Sequence, residues 1–463
     1  MNADQNADQL DRTLRDVLHA WTPLGPGAPA DIAERIIRRR RRRNVMRVTG
    51  AALGLAGITL GAVIATGAGA DNGAQPPAAR VSKQSKLLWQ TALPSKTWDA
   101  CTLGAATGDV YCRGMEYDSI GVNARSGKVE WQRKAKDAHG SSTPSGSMPG
   151  ARDGVLYTYA DHAPGAPRAG TDLVALDIHS RRVLWKHELA DDSRGRTSAV
   201  LFDGGVLANA PTFKSVVALD GTTGRTLWTY KWKKADCDRA VIGGVPYLTC
   251  SPDSEKAPQQ STVVRLDPAT GTPRTVATVK GPTMYIGTDD DAVLLGAMAG
   301  GQKFFSDPGP ATLTRVDTRS GSVTKHRLDG LPTGVVADGL ILATDRSGSA
   351  IAYSADSGKR LWSRDLGLTL RKVRNPTMRE LPSAAAVDLT SRMAYFLDPS
   401  GHLVGLDLDS GAVRWRGQVP LPKSPMQAGI APELMAYGHG LIGQVGGELF
   451  RITPQLPQLP QGG

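Results

Sequence analysis

The sequence is short of cysteine, of aromatic residues and of long apolar runs, and each shortage excludes something. Only four cysteines occur in 463 residues. None stands in a CxxC pair or near clustered histidines, which argues against a zinc site of the usual spacing. Aromatics make up 5% and hydrophobic residues 40% of the chain. Just one uncharged window, Val48 to Ala70, is long enough to cross a bilayer, so a protein of many spans is excluded. Also missing are a GxSxG elbow, an HExxH helix and a GxxxxGK[ST] phosphate loop. No metal and no cofactor is therefore assigned, no residue is assigned a catalytic role, and the chain is expected not to be an enzyme. What is abundant is Gly, with 53 residues, and Pro, with 30. That wealth of turn formers argues against a helical bundle, while regularly recurring Trp, Val, Ile and Leu argue against disorder.

The uncharged window follows six consecutive arginines, Arg38 to Arg43, and Arg47. Cationic flanks remain on the cytoplasmic side, so residues 45–70 are expected to form a single transmembrane helix with the N-terminus inside. Two readings compete: cleavage after Ala-Gly-Ala at residues 68–70, and a loose twin-arginine export signal at Arg42-Arg43. All three place the main body outside the cell membrane. Leu10, Leu14, Val17, Leu18 and Trp21 make a helical stripe in a small cytoplasmic segment, 1–44. A linker rich in Ala, Gly, Pro and Gln occupies 71–85, and 454–463 is read as a disordered tail.

The four cysteines fall as two close pairs, each across a strand–turn–strand stretch. In an oxidising compartment they are expected to form Cys101–Cys112 and Cys237–Cys250.

From residue 86 to 453 the chain repeats. Aligned segments end at Trp89, Trp131, Trp185, Trp228, Thr275, Lys325, Trp362 and Trp415. The template is apolar-x-apolar-Asp, a short turn ending in Gly, then an alternating strand ending in Trp. Asp177, Asp220, Asp267, Asp317 and Asp407 stand where a carboxylate accepts turn N–H groups. The Trp is placed to fill the gap between neighbouring sheets and to give its N–H to a backbone carbonyl. A second hairpin precedes each of these turns, giving four strands per repeat, the size of a β-propeller blade. Seven complete blades end at residues 131, 185, 228, 275, 325, 362 and 415. The single strand around Trp89 and three strands over Glu433 to Thr453 make an eighth. The expected fold is an all-β, eight-bladed propeller closed by strands from both ends of the repeat region, which leaves no open edge in the ring.

The run Val217-Ala-Leu-Asp220-Gly-Thr-Thr-Gly224-Arg-Thr-Leu-Trp228 resembles the repeat of the pyrroloquinoline-quinone-like propeller family. The resemblance covers about residues 86–453 and implies the fold strongly, the activity weakly. Members include quinone-dependent dehydrogenases, scaffolds similar to BamB, and sensor domains. A quinone enzyme needs a roofed site, a clustered carboxylate site for a hard cation and often adjacent cysteines. The blades here are short, no cysteines are adjacent, and the one acidic run, Asp289-Asp290-Asp291, falls where a solvated turn is expected. The scaffold side is also imperfectly matched: BamB-like proteins are lipid-anchored through a Cys just after the signal, and the first Cys here is Cys101.

The resulting expectation is a tethered, non-catalytic binding or scaffold propeller, with a quinone-dependent enzyme or an envelope sensor signalling through residues 1–44 as alternatives. Formal charge is +11. In the stretches joining one blade to the next, Lys and Arg clearly outnumber Asp and Glu. The candidate binding face comprises Arg133, Lys134, Lys136, Lys231, Trp232, Lys233, Lys234, Arg371, Lys372 and Arg374; Lys186, Lys280, Arg327, Arg364 and Arg416 are counted with it. Such a funnel suits a protein or an anionic cell-envelope polymer, to which Trp98 and Trp232 are expected to offer flat apolar surface. Nucleic acid is not expected in that compartment.

Overall fold

Alternating apolar positions and glycine-bearing turns make each repeat a meander of four antiparallel strands. The computed structural model describes residues 85–455 apart from 95–98, 105–106, 115, 135–147, 162–170, 190–198, 211–213, 254–258, 299–309, 330–333, 346–347, 369, 371–381 and 422–430. Among the described residues there are eight four-stranded sheets and no helix. Seven are continuous in sequence, spanning 99–134, 150–188, 200–231, 235–280, 284–328, 334–365 and 386–418, and are blades 1 to 7. Blade 8 is composite: three strands over 433–454 are completed by Ser85–Ala92 as the fourth. Lys86 pairs with Thr453 and Ala92 with Glu448, so the expected closure is the observed one.

First strands of successive blades touch one another. Asp99–Leu103 meets both Gly150–Arg152 and Glu433–Tyr437, and Ala235–Ile242 lies between Val200–Phe202 and Met284–Asp289. They therefore form the inner ring. The outer edges are Ser85–Ala92, Val129–Lys134, Val183–Glu188, Thr226–Lys231, Pro273–Lys280, Val323–Leu328, Arg360–Asp365 and Val413–Gln418.

The core is divided, one cluster per interface between blades. Val155, Tyr157, Leu173 and Trp185 of blade 2, for example, pack on Val206, Ala208, Val217 and Leu219 of blade 3. Trp indole N–H groups cross these seams. Trp89 donates to Ala124 O at 3.0 Å, Trp185 to Gly221 O at 3.0 Å, Trp228 to Pro268 O at 2.8 Å and Trp362 to Leu408 O at 2.9 Å. The turn glycine of the following blade lies on the ring: a methyl group at Gly271 would stand 2.5 Å from the Trp228 indole. Gly271 is thus required twice, for its φ of 69° and for this approach.

The turn aspartates behave as the repeat demands. Asp220 Oδ1 accepts N–H groups from Thr222 and Thr223 at 3.1 and 2.7 Å. The Thr223 hydroxyl, then its N–H, hold the carboxyl below its ordinary range.

Both expected disulfides are present. Cys101 pairs in register with Cys112, and Cys237 with Cys250, across the first hairpins of blades 1 and 4. Among the described residues no helix is long and apolar enough to cross a membrane. The segments read as cytoplasmic (1–44), spanning (45–70) and linker up to residue 84 lie outside the described residues, as do residues 456–463 of the tail.

Candidate binding face

Antiparallel order fixes which loops share an end of the ring. The stretches from each outer strand to the next inner strand emerge together with the hairpins between second and third strands; this end is the rim. The other two turns of every blade lie at the opposite end.

The best-defined part of the rim is the link from blade 3 to blade 4. Thr226–Lys231 ends, and the next strand begins at Ala235. Trp232 makes so short a link hold. Its backbone N–H donates to Lys214 O at 3.0 Å and its indole N–H to Ala235 O at 3.1 Å. Its ring lies 6.4 Å from that of Tyr230 and packs on the cluster that holds Phe202, Val216 and Cys250. Lys234 takes φ 53° to complete the bend. With the indole turned inward, Lys231, Lys233 and Lys234 are left exposed side by side. Trp232 is half-buried and serves as the pin of the link; it was expected to offer flat apolar surface.

The other candidates are placed unevenly. Arg133 is half-buried with its Nε 3.5 Å from Asp118, while Lys134 is exposed. Trp98, Lys136, Arg371, Lys372 and Arg374 lie outside the described residues. Arg364 and Arg416, counted with the rim, spend their guanidiniums across the seam between blades 6 and 7, on Gly411 O at 3.0 Å and Leu366 O at 2.8 Å.

Sequence reasoning left out the second-to-third hairpins, which carry no repeat signature and add mainly acid to this end. Asp253 is paired with Lys214. Asp398 is buried and holds His402 Nδ1 at 3.0 Å, and Glu448 accepts from Gln90 at 3.1 Å. The only advance signal for them was the antiparallel order itself. Deeper, Arg113 is 4% exposed with its guanidinium carbon 5.5 Å from the Tyr159 ring centroid. The Tyr159 hydroxyl accepts the Ala199 N–H at 2.6 Å, and burial pushes it above its ordinary range. These groups tie blades 1, 2 and 3 together.

The acidic run needs correcting. Asp289 is buried, 7% exposed, and accepts the Gly339 N–H of blade 6 at 3.0 Å. Burial, then the adjacent Asp290, raises its carboxyl above the ordinary range. Asp291 is paired with Arg319 at 2.6 Å. The expected turn is present at Asp290 and Asp291, with Asp290 exposed; the departure is Asp289, a buried tie to blade 6.

Comparison with known proteins supports the same architecture. No curated protein matches the chain in sequence. BamB from Moraxella catarrhalis is similar in structure, with 15% identity and a TM-score of 0.50 over 80% of this chain and 100% of that one. The computationally designed Ika8 protein is equally similar, with 11% identity and a TM-score of 0.51 over 78% of this chain and 98% of that one. A natural protein and a designed one score alike, so these likenesses speak for fold alone. The family described as outer membrane protein assembly factor BamB matches at residues 78–272 and 214–430, and the chain belongs to that PQQ-like propeller family.

Proposed function

We propose that this protein is a membrane-tethered, extracytoplasmic propeller that binds a negatively charged partner of the cell envelope and performs no chemistry on it. One observation carries the reading. Lys231, Lys233 and Lys234 are presented together on a link pinned by Trp232, and none has an ion-pair partner among the described residues. Three like charges held in one place repel each other, and an anion relieves that cost. Membership of a family described by an assembly factor is consistent with a role in holding proteins or polymers together. The proposed arrangement puts residues 1–44 in the cytoplasm and the propeller outside.

The test is binding of the detergent-solubilised full chain to anionic polymer and to anionic vesicles across a salt series. Binding should weaken steeply as the Debye length falls from about 30 Å at 0.01 M to about 8 Å at 0.15 M. Charge reversal at Lys231, Lys233 and Lys234 should weaken it further. The same number of reversals at the opposite end, Arg182, Arg225 and Lys359, should do much less. Equal losses from both triple variants would mean that net charge alone matters, and the reading would fail.

A further inference from the structure

Charge in the propeller is sorted by radius. The eight outer strands carry thirteen Lys and Arg and only three Asp and Glu. The eight inner strands carry two and six. Among the described residues, the cations that the rim seemed to collect therefore belong largely to the circumference: Arg133, Lys134, Lys186, Lys231 and Lys280 are all outer-strand residues. Blades 1 to 5 in succession each show an exposed lysine there, Lys134, Lys186, Lys231, Lys280 and Lys325, none with an ion-pair partner among the described residues.

Charges on an exposed sheet edge guard against edge-to-edge pairing, and that accounts for their presence. It does not by itself require one sign to dominate on neighbouring blades, because Glu also serves as an edge guard. An arc across five blades in which cations outnumber Glu130 and Glu188, the only acids on those outer strands, has a second consequence. A flat surface can touch only a short part of a ring's circumference, whereas a flexible chain can follow it and meet lysines on several blades.

We propose that the outer strands form a belt for a linear polyanion, a flexible polymer with repeating phosphate groups, which engages several blades at once. The proposal rests on the reading that this protein binds anions, and adds where and what kind. Each contact is weak and solvent-exposed, so affinity comes from linking them.

Two arms test it on the detergent-solubilised full chain. The first needs no variant: long-chain inorganic polyphosphate, on the order of 100 phosphates, should bind at least about tenfold more tightly per phosphate than tripolyphosphate. Equal affinity per phosphate overturns the belt. The second compares charge reversal at Lys186, Lys280 and Lys325, on three blades, with reversal at Lys231, Lys233 and Lys234. The belt variant should lose about tenfold in affinity for the long polymer and about two units of salt-dependence slope, with tripolyphosphate binding unchanged. The corresponding Lys→Gln variant, with an unchanged melting curve, should show a smaller loss of the same kind. A belt variant that binds like the wild type while the Lys231 set loses binding overturns the belt and leaves the rim reading standing. No binding of either polymer by the wild type at low salt removes both. Anionic vesicles that bind as tightly as the long polymer, and lose binding in the same belt variant, would show a planar partner and overturn the proposal.

Discussion

Two kinds of seam hold this ring together. Between blades 3 and 4 the Trp228 ring supports Gly271 and its N–H reaches Pro268 O; the seams of blades 8/1, 2/3 and 6/7 repeat the pattern with Trp89, Trp185 and Trp362. Blade 5 has no such support on either side. A methyl group at Gly321 would meet Val276 O at 2.7 Å, and one at Gly358 would meet His326 Cβ at 2.7 Å, where those four seams offer an indole. Blades 5 and 6 still share an apolar cluster, with Leu294, Leu313 and Leu328 on Ile341 and Tyr353, and polar ties take the place of the indole. Asp289 accepts from Gly339, Arg315 lies 3.2 Å from Asp356, and Arg360 lies 3.3 Å from Asp329. Apolar packing thus closes both regions, completed by a Trp in one and by polar ties in the other. The glycine turn persists in both because its positive φ is needed whatever it rests on.

The sharpest break of this comparison is Trp228→Ala. It removes a buried ring and leaves Pro268 O without its donor, so a loss of about 3–5 kcal/mol is expected, read from urea unfolding. Gly271→Ala should also be costly, from backbone strain and collision with the ring. In a double-mutant cycle the collision part should vanish in the Trp228→Ala background, leaving the strain. At the unsupported seam, Thr275→Ala should change stability by about 0.5 kcal/mol or less. If Thr275→Ala costs as much as Trp228→Ala, the two seams are not different in kind.

How much of this was legible beforehand follows from what repeats. Blade number, closure by Ser85–Ala92 and both disulfides could be read because Asp220, Gly224 and Trp228 recur at fixed spacing and serve local turns and adjacent seams. Radius could not be read. Lys186 and Lys280 look like loop residues in a linear count, yet they belong to outer strands, and only the ring tells inside from outside. Burial from a distance was equally hidden. Asp289 is covered by a turn fifty residues onward, at Gly339, and nothing near Asp289 announces it. Trp232 misled because a Trp between lysines reads as displayed, while its partner, Ala235 O, lies just three residues ahead.

A milder perturbation separates the seams by ionic strength. Arg360→Met removes the pair with Asp329, both partners well exposed, so the cost should be within about 0.2–1 kcal/mol at low salt. At about 1 M salt, with a Debye length of about 3 Å, that cost should disappear. The cost of Trp228→Ala should be the same at both salt concentrations, since no charge is involved. A salt-independent Arg360→Met penalty would show that its aliphatic stem does the work, and the polar character of this seam would have to be withdrawn.

The smallest effect is one of sign. Asp220 is held below the ordinary aspartate value of 3.8 by Thr223, so its stabilising contribution is present above that value and is lost as pH falls through the folded pKa. Asp289 is raised above 3.8, first by burial and then by Asp290. Between 3.8 and its folded pKa the unfolded chain holds fewer protons than the native one, so stability falls as pH rises through that window. Asp220→Asn should therefore cost more at about pH 7 than at about pH 3, whereas Asp289→Asn, whose amide oxygen can still accept the Gly339 N–H, should be relatively more favourable at about pH 7. Both differences should lie within about 1 kcal/mol, with the solvent-screened Asp220 the smaller. Urea unfolding of the two variants at both pH values decides it: differences of the same sign would mean that Asp289 is stabilised by its ionised state, and that charge at the seam of blades 5 and 6 acts as it does in an ordinary turn.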